Sequence, residues 1–282
     1  MKVSAAGYFA WRRRLKRPPS LKRRRLGQAV GNCFWENRRR YGSRRIQAAL
    51  AKTGVAIGRF QVRSLMREQE LRAIAPRRFK PRTTDSNHDS RISPNLLKET
   101  AKEIYQAGEV IVGDITYLPL QNGRWCYLAS FQDKFTRRIV GWQVAERMTT
   151  QLVIDAFLRA RRRGLIRRGA IIHTDRGSQY ASAEYRRLLY IGGFQQSMSA
   201  KGNCYDNAQA ESFFSRFKAE LIENGIFESV EQAKSEIFSY IEGYYNRTRL
   251  HSSLGYKSPM EFEMELKIKN QRRKDSFVST FS

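Results

Sequence analysis

A chain of 282 residues with 41% apolar side chains is long enough for two modest domains and a tail, and can fill a core. Its formal net charge of +27, from 53 Lys and Arg against 26 Asp and Glu, makes nucleic acid the default partner, ahead of a ribosome-like structural role or a membrane surface. No run of ~18 apolar residues marks a membrane span, and the opening M-K-V-S-A-A-G-Y-F-A-W-R-R-R lacks the apolar stretch of a signal peptide. Cys33, Cys126 and Cys204 are odd in number and form no C-x-x-C pair, which fits free thiols in a reducing cytosol.

The charge is concentrated at the front, where residues 1–100 hold 26 Lys and Arg against six Asp and Glu. Residues 1–40 carry the clusters Arg12–Arg14, Lys22–Arg25 and Arg38–Arg40 among Tyr8, Phe9, Trp11, Phe34 and Trp35, with Pro18-Pro19 breaking any continuous helix. They are expected to form a basic DNA-binding arm whose order depends on DNA. Residues 41–82 read as a helix-turn-helix region. Ser43 is the expected cap of a first helix with Ile46, Ala49 and Leu50 inward, and T-G-V-A-I-G makes the turn. A second helix, Arg59–Glu70, has Phe60, Val62, Leu65 and Met66 inward, with Arg59, Arg63 and Arg67 along an outward stripe. That stripe is either a DNA-contact face or a solvated one, and the basic surroundings favour contact. Residues 83–100, with Pro94 and a polar run, form a linker.

Residues 101–265 have the period of an α/β domain. Strands are expected at Val110–Leu118, Trp125–Asp133 and Arg138–Val144, with Asn122-Gly123 as a hairpin turn. A helix follows over Thr150–Arg163, then a short buried strand Ala170–Thr174, a helix Ala183–Ile191 capped by Ser182, and a strand Phe194–Met198. Asn203–Lys218 is a helix with Asp206 or Asn207 as its cap and Ala210, Phe214, Phe217 and Leu221 on one stripe. The order βββαβαβα is that of the ribonuclease H-like fold, a mixed five-stranded sheet with flanking helices. A further helix places Val230, Ala233, Ile237, Ile241 and Tyr244 on one face, and residues 266–282 read as a polar, frayed tail.

Three acids fall where this fold gathers its chemistry. Asp114 lies inside the apolar run V-I-V-G-D-I-T-Y-L, sharing a strand face with Val110, Val112 and Thr116. Asp175 ends A-I-I-H-T-D, and Glu211 follows after 35 intervening residues, on a stripe with Asn207 and Lys218. A carboxylate beside a buried face needs a partner. Three converging carboxylates suit two divalent ions, Mg²⁺ or Mn²⁺, set ~3.5–4 Å apart to neutralise charge in phosphodiester transfer. Water would be the nucleophile for cleavage and a DNA 3′-hydroxyl for joining. Lys218 then stands either as a phosphate contact or as an exposed helix lysine. Asp133 reads as a turn residue, Asp206 as a cap, and His173 divides between packing and supporting the site.

The motifs resemble the OrfB transposases of the IS3 family of bacterial insertion sequences, which have a retroviral-integrase-like catalytic core. V-S-A-A-G-Y-F-A-W, Y-G-S-R-R-I and V-R-S-L-M-R-E match the family's front region. G-D-I-T-Y-L, H-T-D-R-G-S-Q-Y and K-G-N-C-Y-D-N-A-Q-A-E-S-F-F match its three catalytic blocks, and Y-N-R-T-R-L-H-S-S-L-G-Y-K-S-P its closing block. The resemblance covers roughly residues 1–265. It implies Asp114, Asp175 and Glu211 as a metal-binding DDE triad and Lys218 as the basic residue that follows the glutamate by seven. Arg44 and Arg45 in the front block and Arg247 and His251 in the closing block join Arg59, Arg63, Arg67 and Lys218 as DNA-contact candidates. Ile111 stands where the family commonly has Trp, and Ser43 where Tyr is usual; neither change removes a ligand.

The resemblance further implies DNA transposition by strand cleavage and transfer, often through a circular intermediate, in the bacterial cytoplasm at the nucleoid. Its implied partners are duplex DNA at element ends and target, and an upstream OrfA product, commonly fused by frameshifting. The chain begins where OrfB would begin. Holding two ends together implies a homo-oligomer on DNA. The alternatives are a DNA-binding regulator retaining an inactive ribonuclease H-like core, and a nuclease acting on RNA–DNA hybrids.

Overall fold

The computed structural model describes residues 4–16, 18–75, 91–99, 106–121, 123–199, 208–221 and 226–279. The chain divides into two compact units, Met1–Ile74 and Ala75–Ser282. No helix among the described residues is long and apolar enough to cross a membrane.

The first unit contains α1 (Ala5–Lys16), α2 (Leu21–Glu36), α3 (Ser43–Lys52) and α4 (Arg59–Glu68). Ser20 caps α2 by accepting a hydrogen bond from the Arg23 amide at 3.3 Å. α2 turns Leu26, Val30, Cys33 and Phe34 inward. They meet Ile46 and Leu50 of α3 and Val62, Leu65 and Met66 of α4 in a three-helix core. Residues 21–36 are therefore a core helix of this unit rather than part of a DNA-dependent arm, because their apolar positions repeat at helical spacing among the arginines. Two further expectations are corrected. α3 is capped by Gly42 with no side-chain bond, so Ser43 is its first helical residue and not its cap. Phe60 is 81% exposed and does not join the core.

The second unit begins with a short helix, α5 (Leu96–Glu99), followed by strands β1 (Val110–Pro119), β2 (Trp125–Asp133) and β3 (Ile139–Ala145). Next come α6 (Thr150–Arg162), β4 (Ile171–Thr174), α7 (Ser178–Ala181), α8 (Ala183–Ile191) and β5 (Gln195–Met198). α9 (Ala208–Leu221), α10 (Val230–Phe238) and α11 (Pro259–Ser279) complete it. The five strands run in the order β3-β2-β1-β4-β5. β1, β2 and β3 pair antiparallel, while β4 and β5 extend the sheet parallel to β1. This is the ribonuclease H-like arrangement, and the expected strands lie within a residue or so of their observed ends.

Alternation along the strands divides the interior between two layers. Ala129 and Phe131 of β2 point to the side filled by Val153, Ala156, Phe157 and Ala160 of α6 and by Tyr185 of α8. Leu128 points to the other side, with Phe213, Phe214 and Phe217 of α9 and Val230, Ala233 and Ile237 of α10. Ile111 is wholly buried in the first layer, so an aliphatic side chain fills that position of β1. Gly141 of β3 is required by the closeness of α6. A Cβ there would stand 2.6 Å from Cβ of Ala160 and would press on the Ala156 carbonyl. Gly141→Ala is expected to destabilise the protein by about 1–3 kcal/mol through overpacking. The change should appear as a lower denaturant midpoint at unchanged slope; an unchanged midpoint would show that α6 yields freely.

Beyond α10 the chain departs from the sequence reading. Ser239–Tyr245 is a π-helical segment, and its wider turn buries Tyr240, Ile241 and Tyr245 together. Tyr244, expected inward with Ile241, is only partly buried. Asn246 then completes the free edge of β3, its amide accepting from Ile139 N at 2.9 Å and donating to Ile139 O at 3.0 Å. The expected polar tail is instead helical to Ser279. A capping box starts α11: Ser258 Oγ accepts from the Glu261 amide at 3.2 Å, and the Glu261 carboxylate accepts from the Ser258 amide at 2.7 Å. Pro259 takes the first helical position.

Candidate active site

β1 is flanked by β2 on one side and β4 on the other, so it runs through the middle of the sheet. Val110, Ile111 and Val112 are buried, and Asp114 follows two residues later on the same strand. β4 pairs parallel with β1, with Val112 opposite His173. The same offset carried two residues onward sets Asp114 beside Asp175, just past the end of β4. Asp175 is held by its own turn, its carboxylate accepting from the Gly177 amide at 3.0 Å. Asp114 accepts from the Ile115 amide at 2.8 Å.

Glu211 lies in the first turn of α9, which packs on β1. Phe213, Phe214 and Phe217 drive that packing. Gln209 fixes the start of the helix by donating to the Asp133 carbonyl at 3.2 Å. Asp133 itself is buried and structural, as its turn position implied. Its carboxylate accepts from the amides of Gly108, Phe135 at 2.9 Å and Thr136 at 2.6 Å.

The electrostatics tie these groups together. Burial holds the Asp114 carboxyl well above the ordinary range, and the charge of Asp175 raises it further. The Ile115 hydrogen bond lowers it, Glu211 raises it and Lys218 lowers it, so all three sequence-chosen partners act on one carboxyl. Glu211 is also shifted upward by partial burial. Burial lowers the Lys218 ammonium, Asp114 opposes that shift, and its Nζ sits 4.3 Å from the centre of the Tyr117 ring. Among the described residues, no three His, Cys, Asp or Glu side chains are gathered as a ready-made ion cage. Carboxylates near enough to raise one another's proton affinity are relieved by a cation, and an all-oxygen donor set suits a hard one.

The other candidates fall into separate places. Arg44 is exposed on α3, whereas Arg45 is half-buried, its guanidinium 5.7 Å from the Tyr41 ring centre and donating to the Arg40 carbonyl at 3.4 Å. Arg59, Arg63 and Arg67 are exposed along α4. In the second unit Arg247 is exposed, and the His251 ring meets Tyr245 edge-on at 5.0 Å. His173 is wholly buried and bonded to Ser197 of β5 at 2.8 Å and to Ser199, just past that strand, at 3.2 Å. The expected caps Asp206 and Asn207, and Cys204, lie outside the described residues, as do residues 83–90 and 100 of the expected linker.

Sequence reasoning missed three features near the site. Tyr180, almost wholly buried in α7, has a hydroxyl with no hydrogen-bond partner among the described residues. Burial first, then the charges of Asp114 and Asp175, hold this phenol well above its usual range. Tyr117 backs Lys218, with Trp125 edge-on to it at 4.8 Å. Glu220 of α9 is buried in a pair with Arg249 at 2.7 Å. The available signal was Glu220 itself, a charge three residues after Phe217 on the buried stripe.

A ribonuclease H-like sheet, with one acid at the middle of β1, a second just past β4 and a third on α9, has the arrangement of a polynucleotidyl transferase of the DDE class. Residues 105–204 match the family profile described as an integrase core domain, residues 192–259 a second profile of that description, and residues 22–79 an HTH-like domain. The chain is 40% identical over 263 residues to the insertion element IS600 uncharacterized 31 kDa protein of Shigella sonnei, covering 92% of this chain and 94% of that one. It is 39% identical over 267 residues to the transposase InsF for insertion sequence IS3A of Escherichia coli (strain K12), covering 93% and 91%. It is also similar to the HTLV-2 integrase catalytic core domain solved in complex with magnesium, at 15% identity and a TM-score of 0.43 over 55% of this chain and 96% of that one. The chain belongs to the IS3 family of insertion-sequence transposases.

Proposed function

We propose that Asp114, Asp175 and Glu211 are the catalytic carboxylates of this DNA transposase and hold two divalent ions, Mg²⁺ or Mn²⁺. The observation that carries this reading is the strand register that sets the half-buried Asp114 beside Asp175, where Asp175 and Glu211 both raise its proton affinity. When bound, the ions supply neutralisation of charge on the attacking and leaving oxygens of the phosphodiester. Asp114 and Asp175 orient the site because strand and turn fix their positions, whereas Glu211 approaches on a helix and closes it. Lys218, held over Tyr117, places its ammonium against a DNA phosphate. Water attacks in the cleavage step, and the freed 3′-hydroxyl attacks target DNA in the joining step. No covalent enzyme intermediate is needed.

The exposed arginines of α4, with Arg44, bind the element end. Arg247 and His251 add contacts from the closing segment. The working assembly is a homo-oligomer on duplex DNA in the bacterial cytoplasm, associated with the nucleoid. The upstream OrfA product, separate or fused, adds end recognition.

The test is cleavage and joining of a labelled element-end duplex in Mg²⁺ or Mn²⁺, with the fused upstream partner present. Asp175→Asn should reduce both steps by about a thousandfold or more while leaving DNA affinity nearly unchanged. Joining by the variant at the wild-type rate would remove Asp175 from the site.

A further inference from the structure

The least explained apolar side chain of the first unit is Phe60. It is the second residue of α4 and is 81% exposed, while Val62, Leu65 and Met66 of the same helix supply the core. A single exposed apolar residue is ordinary on a protein surface; its setting here is not. Arg63 and Arg67 lie three and seven residues on, so they share its surface, and Arg59 adjoins it in sequence. All three arginines are exposed. The first turn has no acidic residue, and Glu68 at the far end of the helix is engaged by Arg23 and Ser64. The face is therefore uniformly cationic with one aromatic ring at its leading end. That end of the second helix in a helix-turn-helix meets base edges in the major groove. The apolar feature the groove offers a phenyl ring is the 5-methyl group of thymine.

We propose that Phe60 is a base-reading residue, packing on a thymine methyl group in the major groove of element-end DNA. Arg59, Arg63 and Arg67 grip the phosphates and base edges around it. This rests on the reading of the first unit as a binder of duplex DNA. The arginines supply most of the affinity, which depends on salt and little on sequence. Phe60 supplies discrimination, because a methyl group is present only where thymine is.

The experiment uses the full chain and two duplexes of the element's own terminal repeat, one natural and one with every thymine replaced by deoxyuridine. The replacement removes the methyl groups and keeps every phosphate and hydrogen-bonding edge. Wild type should bind the natural duplex about three- to fivefold more tightly for each methyl contacted. Phe60→Ala, which removes no core contact, should fold normally by circular dichroism and bind both duplexes equally. Arg63→Ala should weaken binding to both while keeping the thymine preference. Equal binding of the two duplexes by wild type, or a preference that survives Phe60→Ala, overturns the proposal. Failure of wild type to bind either duplex would overturn the DNA-binding reading itself. A thymine-independent loss confined to complexes with a protein partner would assign the ring to a protein interface instead.

Discussion

Asp114→Asn is expected to abolish strand cleavage and joining, by about a thousandfold or more, and at the same time to make the metal-free protein more stable. The two effects share one cause. Burial and the charges of Asp175 and Glu211 raise the Asp114 carboxyl well above its ordinary range, so its ionised form is strained in the folded state. Asparagine keeps the shape and an oxygen for the Ile115 amide, and removes the charge. Each kcal/mol gained should raise the melting temperature by about 2–4 °C for a domain of this size.

The pH dependence follows with a definite sign. In the unfolded chain Asp114 titrates as an ordinary carboxyl. In the folded chain it titrates higher, so between the two values the folded state binds the extra proton, and stability rises as pH falls through the folded value. Above that value both states are ionised and the full penalty remains. Glu211, also shifted upward, acts in the same direction. Glu263 is shifted the other way: burial raises it, but Lys267 and Arg138 prevail and lower it, so its contribution is lost in acid. The difference between wild type and Asp114→Asn, measured as melting temperature against pH without metal, isolates Asp114. It should be largest at neutral pH and shrink toward acid. Adding Mg²⁺ should stabilise wild type more than the variant, because binding to the folded state alone adds stability. A variant less stable than wild type at neutral pH would show that Asp114 is not strained.

How much of this was legible in the sequence depends on where the stabilising partner sits. Asp114 stood out because it interrupts an apolar run, and a strand of period two sets it on the same face as the buried Val110 and Val112. α6 was legible because five of its apolar residues share one face, all five of them buried. Phe60 misled, because a helix adjoining a core gives no sign of which apolar residue lies outside the buried arc. α2 was obscured by its arginines, which reach solvent while Leu26, Val30 and Phe34 turn inward. The π-helical segment Ser239–Tyr245 has no sequence period of its own; it arises where Tyr240, Ile241 and Tyr245 must all be buried. α11 did carry its signal in S-P-M-E, a capping box with proline at the first position, which the polar composition downstream overshadowed.

The largest stability effect is expected at Arg249. Its side chain and that of Glu220 are each only 3% exposed. Arg249 Nη2 donates to one Glu220 oxygen at 2.7 Å and Nε to the other at 2.9 Å, a bidentate pair. The Tyr240 hydroxyl donates to the same carboxylate at 2.9 Å. Burial alone would lower the Arg249 guanidinium, and the hydrogen bonds and charge of Glu220 reverse that shift. Removing one partner leaves the other charge buried without its match. Arg249→Met should therefore cost about 3–5 kcal/mol, and Glu220→Leu a similar amount. Replacing both should recover much of the loss, since two apolar side chains of similar volume need no match, less the cost of taking this acceptor from the Tyr240 hydroxyl. The double-mutant cycle, read by chemical denaturation, measures the coupling directly. The pair also joins the helix that carries Glu211 and Lys218 to the closing segment, so each single variant should lose joining activity along with stability. The double variant should regain activity to the extent that it regains the fold. If the two single losses instead add in the double variant, Glu220 and Arg249 are not coupled, and α9 is held against the sheet by its phenylalanines alone.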